Sequence, residues 1–258
     1  MKASIINRHE QKITVLVELA QPQKGLAFVM HGLGGFKEQP HIQVLAEELL
    51  RHGYSTVRFD ATNSFGESDG NYEDATVTNY KEDYDDVITW AATQDWYQQP
   101  FILAGHSLGG MCSILYAEDH PENVLALAPM APLVSGQLSY DYLLKKDPES
   151  MKVWQGTGWQ IQPSTSKPGV TKKLKWSHMA DRLRYDVLPS ANKITMPLLI
   201  IVGSNDESCP LEHQEILVGK LPGKKELHVI NGMRHTPHEK KHLNEFRQVF
   251  SGWLGSLL

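Results

Sequence analysis

Three residues of this chain have the types and the order that nucleophilic acyl transfer needs: Ser107, Asp206 and His235. Ser107 is the centre of Gly105-His106-Ser107-Leu108-Gly109-Gly110. A serine hydroxyl is a poor nucleophile until a neighbouring base takes its proton. An imidazole oriented by a carboxylate can take that proton and return it to the leaving group. Asp206 ends the stretch LLIIVGSND and His235 follows ELHVINGM. Glu207, next to Asp206, is the alternative acid. Each residue also has a plainer account. Ser107 could be incidental in a Gly-rich turn, Asp206 a cap, and His235 one surface histidine among the twelve present.

Acyl transfer further requires donors for the oxyanion of the tetrahedral intermediate, each worth about 3 kcal/mol in the transition state. The backbone N–H of Leu108, directly after the serine, is one candidate. The second is the N–H of Leu33 in HGLGGFKE, residues 31–38, a Gly-rich loop after an earlier strand.

The elements that must position these groups follow from the apolar pattern. ASIINR and KITVLVEL pair as strands across a polar turn. GLAFVMHG (25–32), YSTVRFDA (54–61), PFILAGHS (100–107), NVLALAPMAP (123–132), MPLLIIVGSND (196–206) and KELHVINGM read as further strands. Helical spacing marks HIQVLAEELLRHG (41–53), TNYKEDYDDVITWAATQ (78–94), LGGMCSILYAEDHP closed by Pro121, LEHQEILVGKL, and PHEKKHLNEFRQVFSGWLGSL. Alternating strands and helices predict an α/β chain with a mainly parallel sheet and helices on both faces. Ser107, Asp206 and His235 then all lie just beyond strand ends, at the carboxyl edge where open α/β sheets bind ligands. Ser107 also falls between a strand and a helix, the setting of a nucleophile elbow. The rhythm breaks over 133–190, which hold Trp154, Trp159, Trp176, several tyrosines and the turn cluster PSTSKPG. The expected organisation is a core of 1–132 and 191–258 with a cap inserted at 133–190. That cap is expected to combine helix with a hairpin.

Composition excludes other classes. The 258 residues are 41% apolar, carry a net charge of −5 and have a pI near 6.2. Such a balance gives no electrostatic footprint for nucleic acid. MKASIINRHEQ lacks the apolar stretch of a signal peptide, and no run of about 18 apolar residues is present to span a membrane. Cys112 and Cys209 make no disulfide framework, so a cytoplasmic location is expected. HEKKH (238–242) has the spacing of a zinc helix but lacks a third ligand, so no metal is expected. Gly32-x-Gly34 starts a dinucleotide pattern that Lys37 interrupts, so no cofactor is expected, and Asp60 is read as the anchor of the following loop.

Taken together, HGLGG, GHSLGG, GSND and GMRH resemble the serine α/β-hydrolase superfamily over nearly the whole chain. FDATNSFGESDG resembles the segment after the next strand in many members. The resemblance implies an eight-stranded, mostly parallel sheet with a cap after the sixth strand. Length, cap position and the HGLGGFKE loop are similar to bacterial cinnamoyl and feruloyl carboxylesterases. Several of those carry Gln after the nucleophile, where this chain has Leu108; the backbone role is unaffected. The expected activity is hydrolysis of a small-molecule carboxylic ester, aryl or short-chain, through an acyl-enzyme on Ser107. Thioester or amide hydrolysis by the same residues is the alternative. A non-catalytic binder of the same fold has no need for Asp206 and His235 in those places. The sequence admits a homodimer.

Overall fold

The computed structural model describes residues 1–164 and 169–257. β1 (Lys2–Ile6) and β2 (Lys12–Glu18) form the expected antiparallel pair, turned by the Asn7 side chain, whose Oδ1 accepts from the His9 and Gln11 N–H groups. The remaining strands of the sheet are β3 (Gly25–Met30), β4 (Tyr54–Phe59), β5 (Phe101–His106), β6 (Val124–Met130), β9 (Leu198–Gly203) and β10 (Lys225–Ile230). The order is β1-β2-β4-β3-β5-β6-β9-β10, antiparallel over the first three strands and parallel from β4 to β10. The mainly parallel α/β sheet of eight strands read from the sequence is therefore present.

Both faces are covered, which is why GLAFVM and LLIIVG are unbroken apolar runs. Leu26, Phe28 and Met30 point into one core and Ala27 and Val29 into the other. The first core is closed by α2 (Val77–Ala91), α3 (Leu108–Asp119) and α7 (Leu211–Lys220); the second by α1 (Pro40–Arg51) and α8 (Lys240–Gly255). Local sequence sets the starts: Pro40 opens α1, and the Thr76 hydroxyl accepts from the Asn79 N–H to cap α2.

Two helix ends differ from expectation. α3 stops at Asp119, and Pro121 opens a 3₁₀ turn, Pro121–Asn123, rather than closing the helix. The last helix begins at Lys240, not Pro237, because Glu239 is extended (φ −78°, ψ 134°) and its carbonyl takes the first helical bond, from Leu243. His238 therefore lies outside the helix, and the zinc-type pairing of His238 with His242 across one helical turn does not form.

The segment between β6 and β9 holds α4 (Gly136–Lys146), α5 (Pro148–Thr157), the antiparallel hairpin β7 (Trp159–Pro163) and β8 (Thr171–Lys175), and α6 (Trp176–Arg182). Helix and hairpin are both there; most of PSTSKPG lies outside the described residues. Its aromatics do find packing. Trp154 is buried, meets Trp176 edge-on at 5.3 Å, and donates from Nε1 to the Leu174 carbonyl. The two ends of the segment are joined by a short antiparallel contact. Ser135 bridges Asp186, the Val187 N–H donates to Val134, and the Gly136 N–H donates to Tyr185. The segment rests on the sheet domain beside the start of α2. There the Asp181 carboxylate accepts from the Thr78 N–H and hydroxyl at 2.9 and 2.6 Å. Among the described residues no helix is long and apolar enough to cross a membrane.

Candidate active site

Ser107 is held between β5 and α3 with φ 55° and ψ −115°, a backbone conformation that costs an L-residue on the order of 1–3 kcal/mol. Its surroundings enforce that turn. The Ser107 N–H donates to Met130, and its carbonyl accepts from Met111 and Leu133. A Cβ on Gly105 would stand 2.5 Å from the Gly109 carbonyl oxygen, so strand and helix meet this closely only because glycine is there. The hydroxyl is thereby carried up to the carboxyl edge of the sheet, at the start of α3.

β9 and β10 are parallel neighbours, so the loops that leave them emerge side by side. Asp206 comes from the first loop and His235 from the second. His235 Nδ1 lies 2.8 Å from Asp206 Oδ2, and the Asp206 side chain has no exposed surface. Asp206 Oδ1 accepts from the Ser208 and Cys209 N–H groups, both at 2.8 Å, which fixes the carboxylate. An Nδ1–H donated to Asp206 leaves the Nε2 lone pair for a proton from elsewhere. Glu207, the alternative acid in sequence, is 75% exposed and pairs with Lys146 at 2.8 Å. His235 and Ser107 open onto one cavity of about 330 Å³, whose wall also includes Leu33, Leu108, Trp154 and Cys209.

The HGLGG loop reaches the same place. A Cβ on Gly32 would lie 3.0 Å from Ser107 Cβ. Among the described residues neither the Leu33 nor the Leu108 N–H is taken by a hydrogen bond. The loop is braced by His31, whose Nδ1–H donates to the Gly32 carbonyl while Nε2 accepts from the Ala61 N–H. It is braced again by Lys37, fully buried on ion pairs to Asp60 (2.7 Å), Glu67 (2.6 Å) and Glu38 (2.9 Å). Burial alone would push the Lys37 ammonium down; its bonds to Asp60, Glu67 and Glu38 push it up instead. Asp60 also accepts from the Lys37 and Glu67 N–H groups, so it is the loop anchor that the sequence suggested.

Sequence reasoning missed the other histidines of this edge. His106 donates from Nε2 to the His235 carbonyl at 2.9 Å, and its ring lies 4.6 Å from that of His235 and 4.5 Å from that of His41. Burial holds His106 well below the usual histidine range, and His41 at about 3. Both are neutral spacers at neutral pH. The unusual histidine count was the only hint of them.

His242, the other half of HEKKH, is buried, and among the described residues its Nε2 has no partner. Among the described residues no group of three His, Cys, Asp or Glu side chains could hold a metal ion. Cys112 and Cys209 are free and buried.

The profile of the family described as serine aminopeptidase, S33 matches residues 21–167 and 165–241. The mouse (Mus musculus) mitochondrial palmitoyl-protein thioesterase ABHD10 is 26% identical over 211 residues, covering 80% of this chain and 67% of that one. The solved structure of Est1E from Butyrivibrio proteoclasticus with ferulic acid aligns with a TM-score of 0.80 at 23% identity, over 100% of this chain and 98% of that one. The solved structure of mouse α/β-hydrolase domain-containing protein 10 aligns with a TM-score of 0.80 at 20% identity, over the full length of both chains. The elbow, the strand order and the matched span agree, and the chain belongs to the serine aminopeptidase S33 family of α/β-hydrolases.

Proposed function

We propose that the chain is a serine hydrolase that cleaves small carboxylic esters through an acyl-enzyme on Ser107. The observation that carries this reading is the Asp206–His235 bond together with a serine held on a positive-φ turn, His235 and Ser107 opening onto one cavity. His235 Nε2 takes the Ser107 proton as Oγ attacks the ester carbonyl. The oxyanion is held by the Leu33 and Leu108 N–H groups. His235 then passes the proton to the departing alcohol, and water repeats the sequence on the acyl-enzyme. Asp206 holds the imidazole in the Nδ1–H form and stabilises it while it is charged.

Residues 133–190 serve as the cap of this site. The cavity is at the small end of the roughly 300–1,000 Å³ usual for ligand sites, which favours a compact acyl group. The Est1E structure holds ferulic acid, and a hydroxycinnamoyl-type ester is the aryl member of this class. Thioester cleavage by the same residues is the second reading, favoured by the thioesterase activity in the mouse relative's name. The free, buried cysteines suit a reducing compartment such as the cytoplasm. The test is turnover of short 4-nitrophenyl esters, a methyl hydroxycinnamate and a short acyl thioester. Ser107→Ala is expected to lower kcat on the preferred ester about 10⁵-fold. An active Ser107→Ala protein, or a wild type inert on every ester and active on the thioester alone, overturns the ester assignment.

A further inference from the structure

The wall of the cavity that Ser107 lines carries charge that the proposed ester chemistry leaves unused. Arg182, the last residue of α6, lies in that wall. Its guanidinium is held by neutral groups. One terminal nitrogen donates to Ser139 Oγ at 3.0 Å and the other to His178 Nε2 at 2.7 Å. His178 is buried and gives its Nδ1–H to the Ala75 carbonyl, so Nε2 is an acceptor. Burial first, and then Arg182 itself, hold that imidazole at about 3, so it stays uncharged at neutral pH. Among the described residues no carboxylate lies within ion-pair distance of Arg182, and its buried Nε has no partner. An enclosed guanidinium without a counter-charge is costly, and its fork matches a carboxylate through paired N–H bonds.

Arg182 is not the only unused donor. Lys172 of β8 lines the same cavity, has no ion pair among the described residues, and lies 5.9 Å from the centre of the Tyr72 ring. The Tyr72 hydroxyl, also at the cavity, has no hydrogen-bond partner among the described residues. Among the described residues the one carboxylate on the wall, Glu207, is already paired with Lys146. Burial, and then Asp206, push the Cys209 thiol up; Arg182 and then the Ser107 hydroxyl act against that rise.

We propose that Arg182, with Lys172 and Tyr72, forms a subsite for a carboxylate carried by the ester substrate, so that the preferred substrates are anionic half-esters or esters of carboxylate-bearing alcohols. This rests on the serine-hydrolase reading above. The free acid group docks on Arg182 while the ester carbonyl lies against Ser107; no covalent step is added.

Two matched pairs test it and separate the two positions of the carboxylate. On the acyl side, mono-4-nitrophenyl adipate is compared with its methyl-capped diester. On the alcohol side, 4-acetoxybenzoate is compared with its methyl ester. In at least one pair the carboxylate substrate is expected to have a kcat/KM about tenfold above its capped partner, mainly through KM. Arg182→Gln should bring that ratio close to one, and Arg182→Lys should retain part of it. If Arg182→Gln does not fold, Lys172→Gln on the hairpin is read instead, with a fall of about threefold in the ratio. Capped esters cleaved through Ser107 with no preference for the carboxylate in either pair overturn the subsite. So does a preference unchanged in the Arg182 or Lys172 variants. Loss of all turnover in wild type, or turnover surviving Ser107→Ala, counts against the hydrolase reading instead.

Discussion

Two cations, Lys37 in a loop and Arg182 at the end of α6, sit over the carboxyl edge of the sheet, and they are treated in opposite ways. Lys37, from the sheet domain, meets three carboxylates and has almost no exposed surface. Arg182, from the inserted segment, meets a hydroxyl and a neutral imidazole. In the first region charge is consumed in fixing a loop that must keep its shape beside Ser107. In the second it is positioned by uncharged neighbours and left available to a ligand. The same contrast holds among the carboxylates. Asp206 is fully enclosed by two N–H groups and one imidazole, while its sequence neighbour Glu207 faces solvent.

The largest effect is expected at Asp206. Asp206→Asn should lower kcat on esters about 10⁴-fold, because the amide stabilises the wrong imidazole tautomer. Stopped-flow or steady-state kinetics would check it, and a loss under tenfold would detach Asp206 from the chemistry. Next comes Lys37→Met, which strands Asp60 without its buried partner and should destabilise folding by about 3–5 kcal/mol in urea melts. Arg182→Met separates no ion pair, and a destabilisation as large as that of Lys37→Met would show that the two cations are held alike.

A smaller effect concerns pH. His41 has a folded value of about 3 against an ordinary 6.5, so between those limits the unfolded chain binds the extra proton. Stability is then complete above about pH 6.5 and falls as pH drops toward 3, at up to about 1.4 kcal/mol per unit for this group. Among the described residues both ring nitrogens of His41 are buried without partners, so His41→Leu should flatten the slope between pH 5 and 6.5 with little change in stability at pH 7. The smallest expected change is Glu207→Gln, within about twofold in kcat, since an exposed pair with Lys146 contributes little.

How far these features can be read from the sequence alone depends on their range. Ser107, Asp206 and His235 were legible because each follows an apolar strand, and parallel strands bring their ends to one edge. The same reasoning brings the HGLGG loop, and with it Leu33, to the wall of that cavity. The Asp206 and Glu207 alternatives could not be separated, because one residue of register decides which carboxylate turns inward. Arg182 was invisible: in sequence it is a basic residue near the end of a short helix, the usual sign of a solvated face. Its environment is made by Ser139 and His178, by Tyr72 from the sheet domain, and by a hairpin whose pairing the sequence left open. Pro237 misled about the final helix because proline suits a first helical turn, and only the extended backbone at Glu239 moves the start to Lys240.

The Ser135–Asp186 bridge has a consequence for how such a chain can diversify. Where the inserted segment leaves the sheet domain it also returns, held by the Val187-to-Val134 and Gly136-to-Tyr185 bonds. A segment whose two ends already touch can be exchanged for one of different length without moving β6 or β9. The part of the molecule that carries Arg182 and Lys172 is thus a graftable unit: it can be transplanted while the hydroxyl, imidazole and carboxylate stay just beyond strand ends that never have to move.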